Sequence, residues 1–338
     1  MDFVGANILS VCQFERADID RVFGVADAMA PYAQRRKVTR VLEGAILSNM
    51  FLEPSTRTRL SFGVAFNLLG GTVRETVGIT ASAMAKGESL YDTARVLSGY
   101  SDVICMRHPQ EGSVAEFAAA SRVPVVNGGD GANEHPTQAL LDLYTIRKEL
   151  LANGRTLDDF RIAVIGDLKY GRTVHSLCKL LCLFDKVQLT FVSPPELAMP
   201  EAVVEKLRAA GHKVVITDQL EASISHVDIV YSTRIQEERF ASPEEANQYR
   251  GRFRLNREIF TRHCEPNTVI MHPLPRDSRA EANELDTDLN EHPGLAIFRQ
   301  TDNGLLVRMA LFAMLLGVEE LVDDYACPVR WHSRRSPV

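Results

Sequence analysis

The chain has 338 residues, 45% of them hydrophobic and 24% charged, a composition typical of a globular protein large enough for two domains. Its net charge of -6 argues against general nucleic-acid binding, because that binding needs a concentrated basic surface. The longest apolar run, 309–318, is too short to cross a bilayer and predicts a buried helix rather than a membrane segment.

The cysteine pattern indicates free thiols. The six cysteines are scattered without a Cys-x-x-Cys pair, and no signal-peptide pattern begins the chain, so we expect a cytoplasmic protein. Cys178 and Cys182 would share one face of a helix, where a metal pair is possible but apolar packing is favoured. No metal site is predicted.

The first part of the chain alternates predicted strands and helices. An amphipathic helix at 18–32 is followed by four strands that each precede a helix. The strands are predicted at 45–51, 72–77, 103–106 and 123–126, and the helices at 55–68, 88–97, 113–121 and 136–150. This alternation is typical of a parallel sheet covered by helices.

The segment Ser55-Thr56-Arg57-Thr58-Arg59 lies between the first of these strands and its helix. Two hydroxyls, two arginines and several backbone N–H groups would meet at a helix N-terminus, where unsatisfied donors and the helix dipole favour an anion such as phosphate. The alternative is a Ser/Thr N-cap followed by two solvated arginines.

Two later loops favour the anion-binding interpretation of the 55–59 segment. Arg107 follows the strand at 103–106, and His135 ends the loop at 127–135. Ligands of open parallel sheets bind outside the carboxyl ends of the strands, so these residues could converge on one crevice. His135 itself could be either a helix-start histidine or a hydrogen-bond donor to a polarised carbonyl.

The stretch at 78–87 is small, polar and without periodicity, which predicts a mobile surface loop. Lys86 on this loop could serve solubility, or it could reach a ligand.

A polar stretch near 153–155 separates the first part of the chain from a second alternation of strands and helices. Strands are predicted at 161–166, 187–192, 213–217, 228–233 and 268–271, with helices at 172–184, 201–210 and 256–263. They indicate a second doubly wound α/β unit. The predicted divisions are domains at 1–150 and 151–303, a C-terminal helix at 304–325 that packs back on the first domain, and a tail at 326–338.

The segment Gly-Asp-Leu-Lys-Tyr-Gly-Arg-Thr at 166–173 is one residue away from a phosphate-binding P-loop. Arg172 stands where the P-loop lysine belongs, but it is too bulky and forked for that role, and Asp167 would repel phosphates. The glycine spacing does not fit a dinucleotide-binding turn. We therefore expect Arg172 to bind a carboxylate through two parallel hydrogen bonds. Other strand-end loops of this unit carry Lys169, Arg234, Gln236 and 272–276.

Four motifs occur together in the chain. They are Ser-Thr-Arg-Thr-Arg at 55–59, Arg-His-Pro at 107–109, His-Pro-Thr-Gln at 135–138 and His-Pro-Leu-Pro at 272–275. With them, the sequence resembles the aspartate/ornithine carbamoyltransferase family over essentially its whole length. Segments 166–176 and 231–239 look like the aspartate branch, and Pro273 stands where the ornithine branch typically carries a cysteine.

The resemblance implies a fold and a reaction. The fold would be α/β, with two doubly wound domains, mostly parallel central sheets and an active site in the cleft between them. The reaction would transfer the carbamoyl group of carbamoyl phosphate to the α-amine of L-aspartate, an early step of pyrimidine biosynthesis, without a metal, a cofactor or a covalent intermediate. The alternatives are an ornithine or other amino-acid carbamoyltransferase and a non-catalytic structural partner of the same fold.

The resemblance also implies roles for individual residues. Carbamoyl phosphate would be bound by Ser55, Thr56, Arg57, Thr58, Arg107, His135 and Gln138, of which Arg57, Thr58 and His135 would be catalytic. Aspartate would be bound by Lys86, Lys169, Arg172, Arg234 and Gln236. The backbone at Leu274 and Pro275, joined by a cis peptide bond, would orient the amine.

The assembly that the resemblance implies is a homotrimer with shared active sites. Ser82 and Lys86 would act in the site of a neighbouring subunit, and two trimers could be joined by regulatory chains. The segment at 276–286 looks longer than its counterpart in the enterobacterial-type chains of the family.

Overall fold

The computed structural model describes residues 1–79, 83–240 and 242–331. The chain forms two compact units. Unit 1 consists of Met1–Leu141 and Asp302–Val338, and unit 2 of Asp142–Thr301. Each unit is built around its own parallel sheet.

The sheet of unit 1 has four parallel strands. The elements in chain order are α1 Arg16–Ala28, α2 Ala30–Ala33, β1 Lys37–Thr39, β2 Ile46–Phe51, α3 Thr56–Leu68, β3 Thr72–Val77, α4 Leu90–Leu97, β4 Val103–His108, α5 Ser113–Ala120, β5 Val125–Asp130 and α6 Pro136–Ala152. The strand order is β3-β2-β4-β5, so β2 lies between the strands that follow it in sequence. The direction of winding therefore reverses at β2, and such a reversal opens a crevice at the carboxyl ends of the strands.

The sheet of unit 2 has five parallel strands. The remaining elements of the chain are β6 Arg161–Ile165, α7 Arg172–Leu181, β7 Gln188–Val192, α8 Glu201–Ala209, β8 Lys213–Thr217, α9 Leu220–Ile224, β9 Ile229–Ser232, α10 Pro243–Asn247, α11 Arg257–His263, β10 Val269–Met271, α12 Ile297–Leu315 and β11 Ala326–Pro328. Of these, β11 and most of α12 belong to unit 1. The order is β10-β9-β6-β7-β8, so the winding reverses at β6. The predicted α/β class with two parallel-sheet domains is confirmed.

Two strands of unit 1 are longer than the sequence predicts. Arg107, expected in a loop, lies in β4, and 127–130, also expected in a loop, belongs to β5. Gly128 lies in β5, and a side chain at this position would lie only 3.2 Å from Cys105 and from the Phe51 ring. Glycine is present there because the strand packs closely against its neighbours.

The C-terminal helix also differs from the predicted span of 304–325. Helix α12 begins at Ile297 and ends at Leu315, because Gly317 adopts a positive φ of 66° that is typical of a helix C-terminus. Residues 326–328, expected in the tail, form β11 and pair antiparallel with β1.

Within unit 1, α12 packs against α3. The Phe312 ring contacts Phe62 and Phe66 edge-on, with ring centroids 5.9 and 5.1 Å away. Arg308 lies over the Phe62 ring and donates a hydrogen bond of 2.7 Å to Ser61 Oγ. Aromatic burial of this kind contributes strongly to stability, so α3 is held from its buried side by the C-terminal part of the chain.

Two of the six cysteines, Cys105 and Cys178, are buried core residues, whereas Cys12, which was also expected in the core, is exposed. All six lie within the described ranges and are free thiols. Burial raises the pKa of Cys105 and of Cys178, which keeps both protonated and unreactive. No group of three or more His, Cys, Asp or Glu residues placed to hold a metal ion occurs in the part of the chain that the structure describes.

Across 1–79, 83–240 and 242–331, no helix combines the length and the apolar character needed to span a bilayer.

We expect Phe66→Ala to lower the free energy of unfolding by about 3 to 5 kcal/mol, because Phe66 is fully buried and its loss leaves a cavity beneath α3. The matched control is Phe298→Ala, since Phe298 is 43% exposed and should cost about 1 kcal/mol or less. Urea unfolding followed by circular dichroism measures both variants. Equal losses would contradict the packing described for α3.

Candidate functional site

The N-terminus of α3 lies directly after β2, at the reversal of winding in unit 1. Ser55 is the N-cap residue, but its side chain makes no capping hydrogen bond, and the first turn contains no acidic residue. Ser55 is half-buried, and Thr56 and Arg57 are exposed. This arrangement supports an anion site over the alternative of a Ser/Thr cap, because no acidic side chain in the first turn compensates the positive end of the helix.

Arg107 is brought next to this helix start by the sheet. Phe51 of β2 pairs in register with Arg107 of β4, and the Leu52 amide donates to the Arg107 carbonyl at 2.9 Å. The guanidinium lies 2.7 Å from Glu53 and is largely buried. Glu53 therefore holds the guanidinium beside the segment at 55–59, a contact that no local sequence pattern indicates.

His135 is buried and immediately precedes α6. Its carbonyl accepts a hydrogen bond of 3.0 Å from the Gln138 amide, which places the half-buried Gln138 on the first turn of the helix. The neighbouring Glu134 accepts hydrogen bonds from Ser10 Oγ at 3.0 Å and from the Val11 amide at 2.8 Å. These contacts with the N-terminal segment fix the loop that positions His135.

Lys86 is exposed and ends a 3-10 turn, Ala83–Lys86, within the stretch that the sequence predicted as a loop. Ser82 lies outside the described residues.

The loops after β6 and β9 touch each other at the reversal of winding in unit 2. Gly166, with a φ of 112°, lies so close to Thr233 that a side chain would come within 2.2 Å of the Thr233 carbonyl. Asp167 is buried and accepts hydrogen bonds from the amides of Tyr170 at 3.0 Å and Gln236 at 3.1 Å. Burial raises the pKa of Asp167 despite these hydrogen bonds. Asp167 thus joins the two loops.

The predicted carboxylate-binding residues of unit 2 lie on these two loops. Arg172 is the first residue of α7, and Lys169 lies 5.1 Å from the centre of the Tyr170 ring. The Gln236 amide nitrogen Nε2 donates to the Tyr170 carbonyl at 2.9 Å. The structure therefore brings Gln236 directly against the loop that carries Lys169 and Arg172.

The Arg234 guanidinium makes a two-pronged contact with Glu238 and donates to the Ile235 carbonyl at 3.1 Å. Burial alone would lower the pKa of Arg234, but the hydrogen bonds and charge of Glu238 outweigh it and raise the pKa. The guanidinium is oriented by its own loop. The spacing of four residues between Arg234 and Glu238 is the sequence feature that indicates this ion pair.

The loop after β10 contains the cis Leu274-Pro275 bond that the sequence predicts. The Leu274 amide donates to His272 Nδ1 at 2.8 Å, so the ring carries its proton on Nε2, which lies 2.8 Å from Glu284. Burial lowers the pKa of His272, which favours the neutral ring. The His272 amide donates to Gln300 at 3.0 Å. His272 therefore fixes the backbone at Leu274.

The comparisons with known proteins show the family. Residues 6–148 match the family domain described as "Aspartate/ornithine carbamoyltransferase, carbamoyl-P binding domain", and residues 158–315 match the "Asp/Orn binding domain". The chain belongs to the aspartate/ornithine carbamoyltransferase family, as the sequence motifs predict.

The individual relatives that resemble the chain belong to the aspartate branch of the family. The chain is 75% identical to the aspartate carbamoyltransferase catalytic subunit of Cellvibrio japonicus, over 98% of each chain, and 74% identical to that of Saccharophagus degradans, over 99% and 100%. Among solved structures, aspartate transcarbamoylase from Trypanosoma cruzi in complex with carbamoyl phosphate and aspartate is 38% identical, with a TM-score of 0.85 and coverage of 93% and 98%.

We expect Gly166→Ala to destabilise the contact between the loops after β6 and β9, because the added methyl group would overlap the Thr233 carbonyl. The control is Gly154→Ala, which also has a positive φ but open space around it, and so reports the backbone cost alone. Hydrogen exchange should become faster at 166–172 and 233–236 in Gly166→Ala only. Identical exchange in the two variants would contradict the close approach.

Proposed function

We propose that the protein transfers the carbamoyl group of carbamoyl phosphate to the α-amine of L-aspartate, giving N-carbamoyl-L-aspartate and phosphate. The observation that carries the proposal is the pair of winding reversals. In unit 1 the loops at the reversal present hydroxyls and arginines suited to a phosphate, and in unit 2 they present groups suited to carboxylates. The structure of the T. cruzi relative was solved in complex with carbamoyl phosphate and aspartate.

Unit 1 would bind carbamoyl phosphate. The uncapped N-terminus of α3 supplies backbone N–H groups and a helix dipole, and the nearby guanidiniums supply charge-assisted hydrogen bonds to phosphate oxygens. The residues that we assign to the phosphate are Ser55, Thr56, Arg57, Thr58 and Arg107. Glu53 orients Arg107 before the ligand arrives, which lowers the ordering cost of binding.

The carbamoyl group would lie between α3 and the start of α6. We assign its contacts to Arg57, Thr58, His135 and Gln138. Thr58 and His135 donate to the carbonyl oxygen, which gains negative charge as the tetrahedral intermediate forms. Arg57 neutralises the phosphate that leaves.

Unit 2 would bind aspartate. Arg172, Arg234 and Gln236 bind the two carboxylates, Lys169 assists, and the backbone carbonyl of Leu274 accepts a hydrogen bond from the attacking amine. A guanidinium fork matches the geometry of a carboxylate. The backbone contacts of His272 and Asp167 hold these groups in place before the substrate binds.

The chemistry depends on holding two mutually repelling anions so that the amine faces the carbamoyl carbon. The amine attacks, the tetrahedral intermediate collapses, and the C–O bond to phosphate breaks. The departing phosphate accepts the amine proton. This mechanism uses no covalent enzyme intermediate.

The assembly that we propose is a homotrimer in which Ser82 and Lys86 complete the site of a neighbouring subunit, with Lys86 also reaching aspartate. The relatives are named catalytic subunits, which is compatible with regulatory chains that join two trimers. The free thiols agree with a cytoplasmic location.

The substrate test incubates the purified protein with carbamoyl phosphate and either aspartate or ornithine. We expect carbamoyl-aspartate and phosphate in equal amounts. Carbamoyl-ornithine as the main product would favour the ornithine alternative, and neither product would favour a non-catalytic structural partner.

Arg57→Ala should lower kcat by at least about 100-fold, because Arg57 stabilises charge that develops in the transition state. Arg40→Ala is the control, since Arg40 is an exposed arginine of the same unit that pairs only with the nearby Glu43 among the contacts described for it. Phosphate release at saturating substrate measures both variants. Near-normal turnover of Arg57→Ala would show that the assignment is wrong.

Shared sites predict complementation between inactive variants. Mixing Lys86→Ala subunits with Arg57→Ala subunits should restore part of the activity, because some sites would then combine two intact contributions. No recovery in mixed trimers, whose presence native mass spectrometry would establish, would contradict sharing.

A further inference from the structure

A cluster of charged residues lies beside the proposed aspartate site in unit 2. We call it the Glu237 cluster and define it by Glu237, Arg250, Asp277 and Arg279. Glu237 directly follows Gln236 and begins the 3-10 turn Glu237–Arg239. None of the four residues is among those that we assign to the substrates.

Glu237 is bound by two guanidiniums at once. Arg250 donates to both carboxylate oxygens, from Nε at 2.6 Å and from Nη2 at 2.8 Å. Arg279 donates from Nη2 to Oε1 at 2.7 Å. Parallel charge-assisted hydrogen bonds of this kind fix direction as well as distance. The hydrogen bond from Arg250 is the largest cause that holds the pKa of Glu237 down at about 2, so the carboxylate stays charged throughout the neutral range.

Arg279 connects Glu237 to the loop that contains Leu274. It donates from Nε to both oxygens of Asp277, at 3.0 and 3.1 Å. The Asp277 amide in turn donates to Glu284 at 3.1 Å, and Glu284 lies 2.8 Å from His272 Nε2. A continuous chain of contacts therefore runs from the residue after Gln236 to the histidine that fixes Leu274.

The pair of Glu237 with Arg250 is more withdrawn from water than the pair of Glu237 with Arg279. The Glu237 and Arg250 side chains are 23% and 19% exposed, and Arg279 is 46% exposed. Ion pairs that are largely withdrawn from water are screened less than surface pairs. If Glu237 lost its charge, the guanidiniums of Arg250 and Arg279 would repel each other, which would weaken the contact between the two loops.

We infer that Glu237 and Arg279 are positioning residues for aspartate: they hold the loop of Arg234 and Gln236 at a fixed distance from the loop of Leu274. The inference rests on the proposed function. The first loop binds the carboxylates and the second orients the amine, so their separation sets where the amine of a bound dicarboxylate lies. Neither residue needs to touch the substrate.

The test compares Arg279→Met and Glu237→Gln with the unchanged protein in steady-state assays. Each variant should raise KM for aspartate about 3- to 10-fold and leave KM for carbamoyl phosphate unchanged. The double variant should raise KM for aspartate by less than the product of the two single effects, because the hydrogen bond between Arg279 and Glu237 is already lost in each single variant. Arg279→Lys, which keeps the charge, should recover part of the loss.

Arg208→Met is the matched control. Arg208 belongs to the same unit, is 51% exposed and pairs with Glu201 on α8, away from both loops in sequence. It should leave both KM values and the melting temperature unchanged. A general effect of removing a surface arginine would appear here as well.

The outcomes separate this inference from the proposed function. If the unchanged protein carbamoylates aspartate but both variants keep its KM for aspartate, the inference is wrong and the function stands. Equal increases in both KM values with a lower melting temperature would indicate a merely structural role and would also overturn it. An unchanged protein without activity would remove both proposals together.

Discussion

The reversal of winding in each parallel sheet is the constraint on which the candidate site depends. A strand that lies between two strands later in the chain has connecting helices on opposite faces of the sheet, so the loops at its carboxyl end are not covered. In unit 1 this strand is β2, and the uncapped start of α3 follows it. In unit 2 it is β6, and the loop of Arg172 follows it. The chemistry that we propose is located where the backbone topology leaves room for a ligand.

Carboxylates accompany the arginines that we assign to anions. Glu53 lies against Arg107, and Glu238 lies against Arg234. A guanidinium without a partner in a partly buried site would carry a desolvation cost, whereas a paired one keeps its charge and its orientation. The acidic residues therefore prepare the site for substrates of their own sign, and they explain how an acidic protein can bind two anions.

The elements that were predicted correctly are those that local sequence patterns determine. The strands at 72–77 and 213–217 have the predicted bounds, and the 55–59 segment lies at a helix start. The errors arose where distant residues decide the local structure. Gly128 was assigned to a loop because its close packing against Cys105 is not visible in one sequence. The Glu237 to Arg279 contact, 42 residues apart, was invisible for the same reason.

The packing of Phe312 against Phe62 and Phe66 has a consequence for biosynthesis. Helix α3 is made before unit 2, but Phe312, which packs against it, and the strand β11, which pairs with β1, are made after unit 2. Domains generally form as units while the chain leaves the ribosome. Unit 1 combines chain segments from both sides of unit 2, so unit 1 cannot finish folding until all of unit 2 has been made.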